Sequence, residues 1–195
     1  MKNSKLLAFS AAIIIAGLAV PANAHADHHK EGEKFEAQKT VEIKNNQGTK
    51  IGALKLKETE KGVLLKLDLN NLQAGGTHAF HIHETGRCSP DFSAAGEHFN
   101  PADNEHGMMM EEGQHAGDMP NIHVDDDGTV SQEILNTMIT LEENDNVDGR
   151  HTIYDEDGSA IVIHAGADDY VSQPSGAAGD RIACAVIAEP KGETL

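Results

Sequence analysis

The histidines between residues 78 and 118 constrain this chain more than any other feature of its sequence. His81 and His83 lie two positions apart in an apolar run, and a β-strand turns alternate side chains to the same face. Phe80 and Ile82 would leave the opposite face, where they can be buried. The pattern therefore predicts a strand that presents two imidazoles on one side and joins a hydrophobic core on the other.

Further residues with metal-binding side chains follow in a segment punctuated by glycine and proline. They are His98, His106, His115 and Asp118. Three imidazoles and one carboxylate form a closed tetrahedral zinc set. His81 and His83 need more partners to bind a metal, and only His164, in the strand-like run SAIVIHAG, is well placed to supply one. A site built only from imidazoles suits copper, so the sequence predicts two metal sites.

Several segments alternate apolar and polar residues with the period of two that is typical of half-buried strands. Val63, Leu65, Leu67 and Leu69 repeat this pattern four times, and the turn ETEKG before them indicates a hairpin. No segment after the amino terminus has a long helical periodicity, so we expect an all-β fold of sheet packed on sheet. Strands are expected near residues 40, 52, 65, 80, 131, 139, 162 and 185.

Two long connections, 85–121 and 165–180, separate some of the expected strands. Compact domains rarely keep structureless segments beyond about 12 to 15 residues unless those segments carry function. The first connection contains the zinc set, so bound metal would organise it in place of secondary structure. The second is rich in glycine and alanine and contains no lysine or arginine.

The amino terminus predicts export. Residues 1–24 contain two lysines, an apolar stretch and small residues before a cleavage point, which is typical of a secretory signal peptide. A membrane anchor is the alternative, but the apolar run is short for a span. We expect cleavage after Ala24 or after Ala26, and the sequence leaves both open. One folded domain, 36–195, is expected to follow.

Residues 25–35 are polar and without periodicity, so we expect a flexible His-rich tail. If cleavage follows Ala26, His29 becomes the third residue from a free amine. Such a histidine can bind Cu(II) or Ni(II) together with the intervening backbone nitrogens. A solvated tail without metal is the alternative.

Charge and cysteine content narrow the set of partners and compartments. The formal net charge is −17, and residues 88–195 hold 3 basic against 23 acidic residues. Such a surface repels nucleic acid and anionic lipid, so neither is expected to bind. The two cysteines of an exported chain suggest one disulfide, and the alternative is two buried thiols.

Taken together, these motifs resemble the copper-zinc superoxide dismutases, and the periplasmic bacterial type in particular. The resemblance extends over residues 36–189 and rests on HAFHIHETGRC, EHFNP, NEHG, QHAGDMP, IVIHAGADD and GDRIAC. It implies a flattened eight-stranded Greek-key barrel, an immunoglobulin-like sandwich with two long functional loops. It also implies that the protein converts superoxide to dioxygen and hydrogen peroxide in the periplasm, with one copper and one zinc per chain.

The family's ligand positions carry over to this sequence. The resemblance implies copper on His81, His83, His98 and His164. It implies zinc on His98, His106, His115 and Asp118. His98 would then be shared as a bridging imidazolate and would take part in catalysis by releasing and returning a proton.

Other site residues are implied in the same way. Asp168 would accept hydrogen bonds from His81 and His106 and so orient both rings. Arg181 would be catalytic, because it draws the anion in and docks it near copper. Cys88 and Cys184 match the pair that is disulfide-bonded in the family.

The alternative function is an exported copper- and zinc-binding protein that buffers or delivers metal. Arg181 argues against it, because a metal buffer has no use for an anion channel. The sequence leaves open whether the molecule is a monomer or a homodimer. We expect His78 to be a hydrogen-bonded structural residue, His123 and His151 to be surface residues, and the methionines at 108–110 to fill gaps in packing.

Overall fold

A computed structural model describes residues 35–72, 75–144 and 147–192 of the chain. The predicted signal peptide and most of the predicted His-rich tail lie outside these residues. A compact unit begins at Phe35. No helix in the described ranges has the length and hydrophobicity that a membrane crossing requires.

Eleven strands and one short 3-10 helix make up the secondary structure of the described residues. The strands are β1 Lys39–Asn45, β2 Lys50–Thr59, β3 Gly62–Leu69, β4 Gly76–His78, β5 Phe80–His83, β6 Ile122–Val124, β7 Val130–Asn136, β8 Ile139–Thr140, β9 His151–Thr152, β10 Ser159–His164 and β11 Arg181–Ala188. Seven of them form one sheet in the order β5-β10-β11-β1-β2-β3-β7, while β4 pairs with β6 and β8 with β9. Each predicted strand position lies in one of these strands, and the all-β class is confirmed.

The sequence alternation explains the core. In β3 every second residue is buried, and β2 pairs with it in antiparallel register through a turn at Glu60 and Lys61, which confirms the predicted hairpin. The buried side chains of β1, β2, β3 and β7 then join those of β5, β10 and β11 in a single hydrophobic cluster. The sheet ladders do not by themselves define the Greek-key closure into a barrel, which stays a prediction.

Strand β10 lies between β5 and β11 and is buried along its whole length. Ile161 and Ile163 belong to the main core, whereas Val162 packs in a second cluster on the opposite face of the sheet. His81 pairs with Val162 across the ladder, so the imidazoles of β5 leave on that second face. The two faces of these strands therefore separate core packing from the polar site.

The long connection 84–121 folds back against the free edge of β5. The backbone N–H of Phe99 donates to Ile82 O at 2.9 Å, and the N–H of Ile82 donates to Gly117 O at 3.0 Å. A Cβ on Gly117 would lie 2.3 Å from Ile82 O, so only glycine permits this approach. These contacts bring the neighbours of Phe99 and Gly117, namely His98 and Asp118, next to the histidines of the strand.

A disulfide joins the same connection to the sheet. Cys88 and Cys184 are bonded, with their Cα atoms 6.0 Å apart and 96 positions apart in sequence. This pairing excludes the alternative of two buried thiols. The short 3-10 helix, Phe92–Ala95, begins at Asp91, whose side chain accepts from the backbone N–H of Ser93, and it packs beside the disulfide. The connection is thereby fixed to β11 as well as to β5.

Candidate metal centre

Two groups of buried side chains converge where the edge of the sheet meets the long connections. The four-histidine cluster consists of His81, His83, His98 and His164. The aspartate cluster consists of His98, His106, His115 and Asp118. Within each cluster, one ligand atom per residue lies within 4.8 Å of the others, and every member is buried. His98 belongs to both clusters, so they share one imidazole ring.

In the four-histidine cluster, hydrogen bonds on one side of the rings define which nitrogens are free. His83 Nδ1 donates to Gly96 O at 3.0 Å, and His164 Nδ1 donates to Gly179 O at 3.1 Å. Each opposite nitrogen therefore carries a lone pair. The buried nitrogens of the cluster that have no hydrogen-bond partner among the described residues are His81 Nδ1, His83 Nε2, His98 Nε2 and His164 Nε2.

These four nitrogens provide the test of whether a metal fits. Buried lone pairs that face one another without a proton donor are unfavourable, because each has lost its hydrogen bond to water. A cation that accepts nitrogen ligands would satisfy all four at once, and copper has that preference. The donor set thus fits copper on its own chemistry.

The aspartate cluster is arranged differently, because a carboxylate oxygen lies among its nitrogens. Asp118 Oδ1 lies 2.9 Å from His98 Nδ1, 3.0 Å from His106 Nδ1 and 3.3 Å from His115 Nδ1. A tetrahedral zinc with bonds of about 2.0 Å has ligand atoms about 3.3 Å apart. The other carboxylate oxygen accepts from the backbone N–H groups of Gly107 and His115. The set has the composition and spacing that zinc requires.

The carboxylate also sets the ionisation of the aspartate cluster. Burial alone would raise the pKa of Asp118, but hydrogen bonds from the three histidines hold that pKa well below its usual range. Burial would lower the pKa of His106, yet hydrogen bonds to Asp118 and Asp168 raise it to about 9. His106 is therefore a cation at neutral pH when no metal is present.

The four-histidine cluster has the opposite electrostatics. Burial lowers the pKa of His98 to about 4, although its hydrogen bond to Asp118 opposes this shift. Burial likewise lowers the pKa of His164 to about 4, and the pKa of His83 lies well below its usual range for the same reason. These rings are neutral at physiological pH, which is the protonation state that binds metal.

Asp168 connects the clusters from the second long connection. Its Oδ2 accepts from His81 Nε2 at 2.8 Å, and its Oδ1 accepts from His106 Nε2 at 3.0 Å. Burial would raise the pKa of Asp168, but these hydrogen bonds hold it well below its usual range. A Cβ on Gly176, whose φ is +69°, would lie 1.8 Å from Asp168 Oδ1. Only glycine therefore fits at position 176. One carboxylate thus orients a ring of each cluster.

Arg181 begins β11 and pairs in register with His164. Its guanidinium donates to Phe92 O at 2.8 Å and to Gly96 O at 2.7 Å. Gly96 O also accepts from His83 Nδ1, so one carbonyl holds both the arginine and a ring of the four-histidine cluster. A guanidinium carries five N–H donors, so donors are left over for an anion.

The other histidines of the described residues belong to neither cluster. His78 is buried, and its Nδ1 donates to His164 O at 2.8 Å, as expected for a structural residue. His123 is exposed. His151 lies in β9, which pairs with β8, and is half-buried. It was expected to be a surface residue, so that prediction is only partly correct. Met108 and Met109 are exposed, which contradicts the expectation that they fill gaps in packing.

Two carboxamides and one glycine contribute to the site without any signal in the sequence pattern. Asn121 accepts from the backbone N–H of Asp168 at 2.8 Å and donates to its carbonyl at 2.9 Å. Gln173 makes the same kind of pair with the backbone of His106. A single amide or glycine in a loop has no periodicity, so only the folded geometry identifies Asn121, Gln173 and Gly176.

Comparison with known proteins agrees with this geometry. The family model described as copper/zinc superoxide dismutase matches residues 50–187. Superoxide dismutase (Cu-Zn) 1 of Aquifex aeolicus (strain VF5) is 49% identical over 148 residues, covering 75% of this chain and 85% of the relative. Superoxide dismutase (Cu-Zn) 2 of the same organism is 43% identical over 187 residues, covering 95% of this chain and 98% of the relative.

Solved structures show the same fold. The crystal structure of a double mutant of a SOD-like protein from Bacillus subtilis is 40% identical, covers 76% of this chain and 96% of its own, and has a TM-score of 0.71. Cu/Zn superoxide dismutase from Brucella abortus is 26% identical, covers 76% of this chain and 97% of its own, and has a TM-score of 0.62. The family model spans more than half of the chain, and the two Aquifex relatives are matched over 85% and 98% of their own length. This chain belongs to the copper/zinc superoxide dismutase family.

Proposed function

We propose that this protein removes superoxide by dismutation: two superoxide anions and two protons give one dioxygen and one hydrogen peroxide. The two Aquifex relatives named above are described as copper-zinc superoxide dismutases. One observation carries the proposal for this chain. Four buried imidazole nitrogens face one another without hydrogen-bond partners in the described structure, beside a second cluster that shares one ring with them.

The proposed copper ligands are the four nitrogens of the four-histidine cluster, and the proposed zinc ligands are the three Nδ1 atoms and the carboxylate of the aspartate cluster. Copper held by the four histidines would supply a one-electron redox couple for the reaction. Zinc has no redox chemistry. The same chain would therefore hold a reactive ion and an inert ion on the two sides of His98.

His98 has the proposed role of moving a proton. Its Nδ1 faces the aspartate cluster and its Nε2 faces the four-histidine cluster. A proton carried on Nε2 would lie beside the reacting anion and could be given to it.

Arg181 has the proposed role of binding the anion. Its two carbonyl contacts fix the guanidinium next to His83 and His164, and its positive charge is one of only three in residues 88–195. Charges beyond about 8 Å are largely screened in physiological salt, so Arg181 would act on an anion near the four-histidine cluster more strongly than distant acidic residues would.

We further propose that the protein works outside the cytoplasm, in the periplasm. A signal peptide at residues 1–24 would direct export, a tail at 25–35 would follow, and 36–195 would form the catalytic domain. The disulfide between Cys88 and Cys184 supports an oxidising compartment.

The test measures metal content and superoxide removal on the same preparation. Metal-free protein is loaded with Zn²⁺ and then Cu²⁺, and the copper and zinc per chain are determined. We expect one of each and rapid superoxide removal that disappears on removal of copper. Stoichiometric copper without turnover would instead indicate the alternative, a protein that buffers or delivers metal.

A further inference from the structure

The carboxamide of Gln173 pairs with the backbone of His106 through two hydrogen bonds of opposite direction. Gln173 Oε1 accepts from the His106 N–H at 2.9 Å, and Gln173 Nε2 donates to the His106 carbonyl at 2.8 Å. Gln173 Nε2 also lies 3.3 Å from Val171 O, which fixes the amide within its own loop. The backbone N–H and the backbone carbonyl of His106 are therefore both bound by one side chain, which fixes the position of this backbone segment.

This pair joins the two long connections at one residue. His106 belongs to the connection that carries the aspartate cluster, whereas Gln173 belongs to the connection that carries Asp168. The ring of His106 is completely buried and lies between Asp118 and Asp168. Gln173 itself is exposed, so it covers the outer side of the ligand without being part of the core.

The second carboxamide pair runs in the opposite sense. Asn121, at the end of the first connection, holds the backbone of Asp168 in the second. The first connection thus holds Asp168 through Asn121, and the second holds His106 through Gln173. Asp168 and His106 are themselves joined by a hydrogen bond. Loss of Gln173 would remove the two hydrogen bonds that the second connection makes to the backbone of His106.

We propose that Gln173 is a positioning residue for zinc: it fixes the backbone of His106 and thereby slows the departure of that ligand from the ion. The inference rests on the proposed zinc set. For zinc to leave, the ring of His106 must move away, and this movement requires the backbone at residue 106 to shift. Gln173 opposes that shift from the solvent side. Among the described residues, no other side chain or backbone group binds the N–H or the carbonyl of His106.

The experiment compares zinc release from wild type with release from Gln173→Ala and Gln173→Glu. Each protein is loaded with zinc and copper, and zinc transfer to an excess of a colorimetric chelator is followed with time. The control is Gln47→Ala, which removes an exposed glutamine from the turn between β1 and β2. Partners outside the ligand set typically alter metal affinity about 10- to 100-fold, so we expect release about tenfold faster for Gln173→Ala.

The glutamate variant separates the two hydrogen bonds. Its carboxylate can still accept from the His106 N–H, but it has no donor for the His106 carbonyl. We expect a release rate between those of wild type and Gln173→Ala. Gln47→Ala should release zinc at the wild-type rate.

A spectroscopic measurement distinguishes positioning from general stability. Co²⁺ is placed in the zinc site, and its visible absorption, which depends on ligand geometry, is compared between the variants. We expect the band to shift or broaden in Gln173→Ala and to be unchanged in Gln47→Ala. Release at the wild-type rate in both Gln173 variants, with an unchanged Co²⁺ spectrum, would overturn the inference. Failure of wild type itself to give a tetrahedral Co²⁺ spectrum would overturn the proposed zinc set instead.

Discussion

The two clusters share His98 but are built in different ways. Three members of the four-histidine cluster lie on neighbouring strands, β5 and β10, whereas all four members of the aspartate cluster lie in the long connection between β5 and β6. Strands hold their side chains apart whether or not anything lies between them. A loop keeps its shape only if its own contacts hold it.

The hydrogen bonding of the clusters follows from this difference. In the aspartate cluster, Asp118 satisfies the nitrogens and holds the loop together, and it raises the pKa of His106. In the four-histidine cluster, four lone pairs stay unsatisfied within the described structure, because the sheet prevents the rings from moving toward other partners. The sheet therefore preforms the proposed copper site, whereas the proposed zinc ligands organise their own loop.

We expect the largest effect from a substitution that removes a ligand of the four-histidine cluster alone. His164→Ala removes one of four nitrogens, and we expect superoxide removal to fall by more than about 100-fold, since even partners outside a ligand set alter metal sites by 10- to 100-fold. Zinc content should stay at the wild-type level, because His164 does not belong to the aspartate cluster. Activity assays with metal analysis check this, with exposed His123→Ala as the control. Unchanged activity in His164→Ala would reject the copper assignment.

A second prediction concerns the carboxylate that connects the clusters. Asp168→Asn keeps the size of the side chain but turns one acceptor into a donor, which would face the N–H of His81 or His106. We expect zinc affinity to fall about 10- to 100-fold, together with a smaller loss of copper affinity. Competition with a chelator measures both affinities. Asp169→Asn, on the exposed neighbouring residue, should leave them unchanged, and equal effects of the two substitutions would contradict the account.

A third prediction uses the opposite pKa shifts in the metal-free protein. His98 and His164 have folded pKa values lowered to about 4 from 6.5, so the stability they contribute is present above pH 6.5 and is lost as the pH falls toward 4. His106 has a pKa raised from 6.5 to about 9, so its contribution is present below pH 6.5 and is lost as the pH rises through 9.

The free energy of unfolding of the metal-free protein should therefore be highest near pH 6.5 and fall on both sides. Urea unfolding at several pH values between 4 and 9 measures it. His106→Gln should remove most of the fall on the alkaline side and leave the fall on the acid side. A curve that rises continuously from pH 6.5 to 9 would show that Asp118 does not hold a charged His106.

The smallest expected effect concerns attraction of the substrate to the four-histidine side. If Arg181 dominates locally, the rate of superoxide removal should decline by a few-fold as ionic strength rises, because salt screens attraction between unlike charges. Stopped-flow measurements on wild type and Arg181→Ala check this. The variant should be slower and should lose the decline. A rate that increases with salt in wild type would mean that the acidic surface governs the encounter instead.

The parts of the molecule with a repeating sequence pattern could be predicted from the sequence. The alternation of Leu65 and Leu67 predicts a buried strand face, and His81 and His83 follow the same rule in β5. The chemical types and the order of the ligands, together with the family resemblance, predicted two ligand groups, and the structure brings the members of each together.

The parts that could not be predicted from the sequence have no repeating pattern. Three of the four strands of two or three residues were not predicted, because so few residues show no period; they are Gly76–His78, Ile122–Val124 and His151–Thr152. Asn121 and Gln173 act through single amides whose partners are set by how two loops meet. Tertiary contact, and not local pattern, decides such residues.

In the proposed site, His98 is bound by two different metals at once. The direct measurement is a crystal structure of protein loaded with copper and zinc, with anomalous diffraction data collected at the absorption edge of each metal. We expect copper at His98 Nε2 and zinc at His98 Nδ1, about 6 Å apart, since metal–nitrogen bonds are about 2.0 Å long on each side of the ring. A single metal at this position, or two metals of which one does not contact His98, would contradict it.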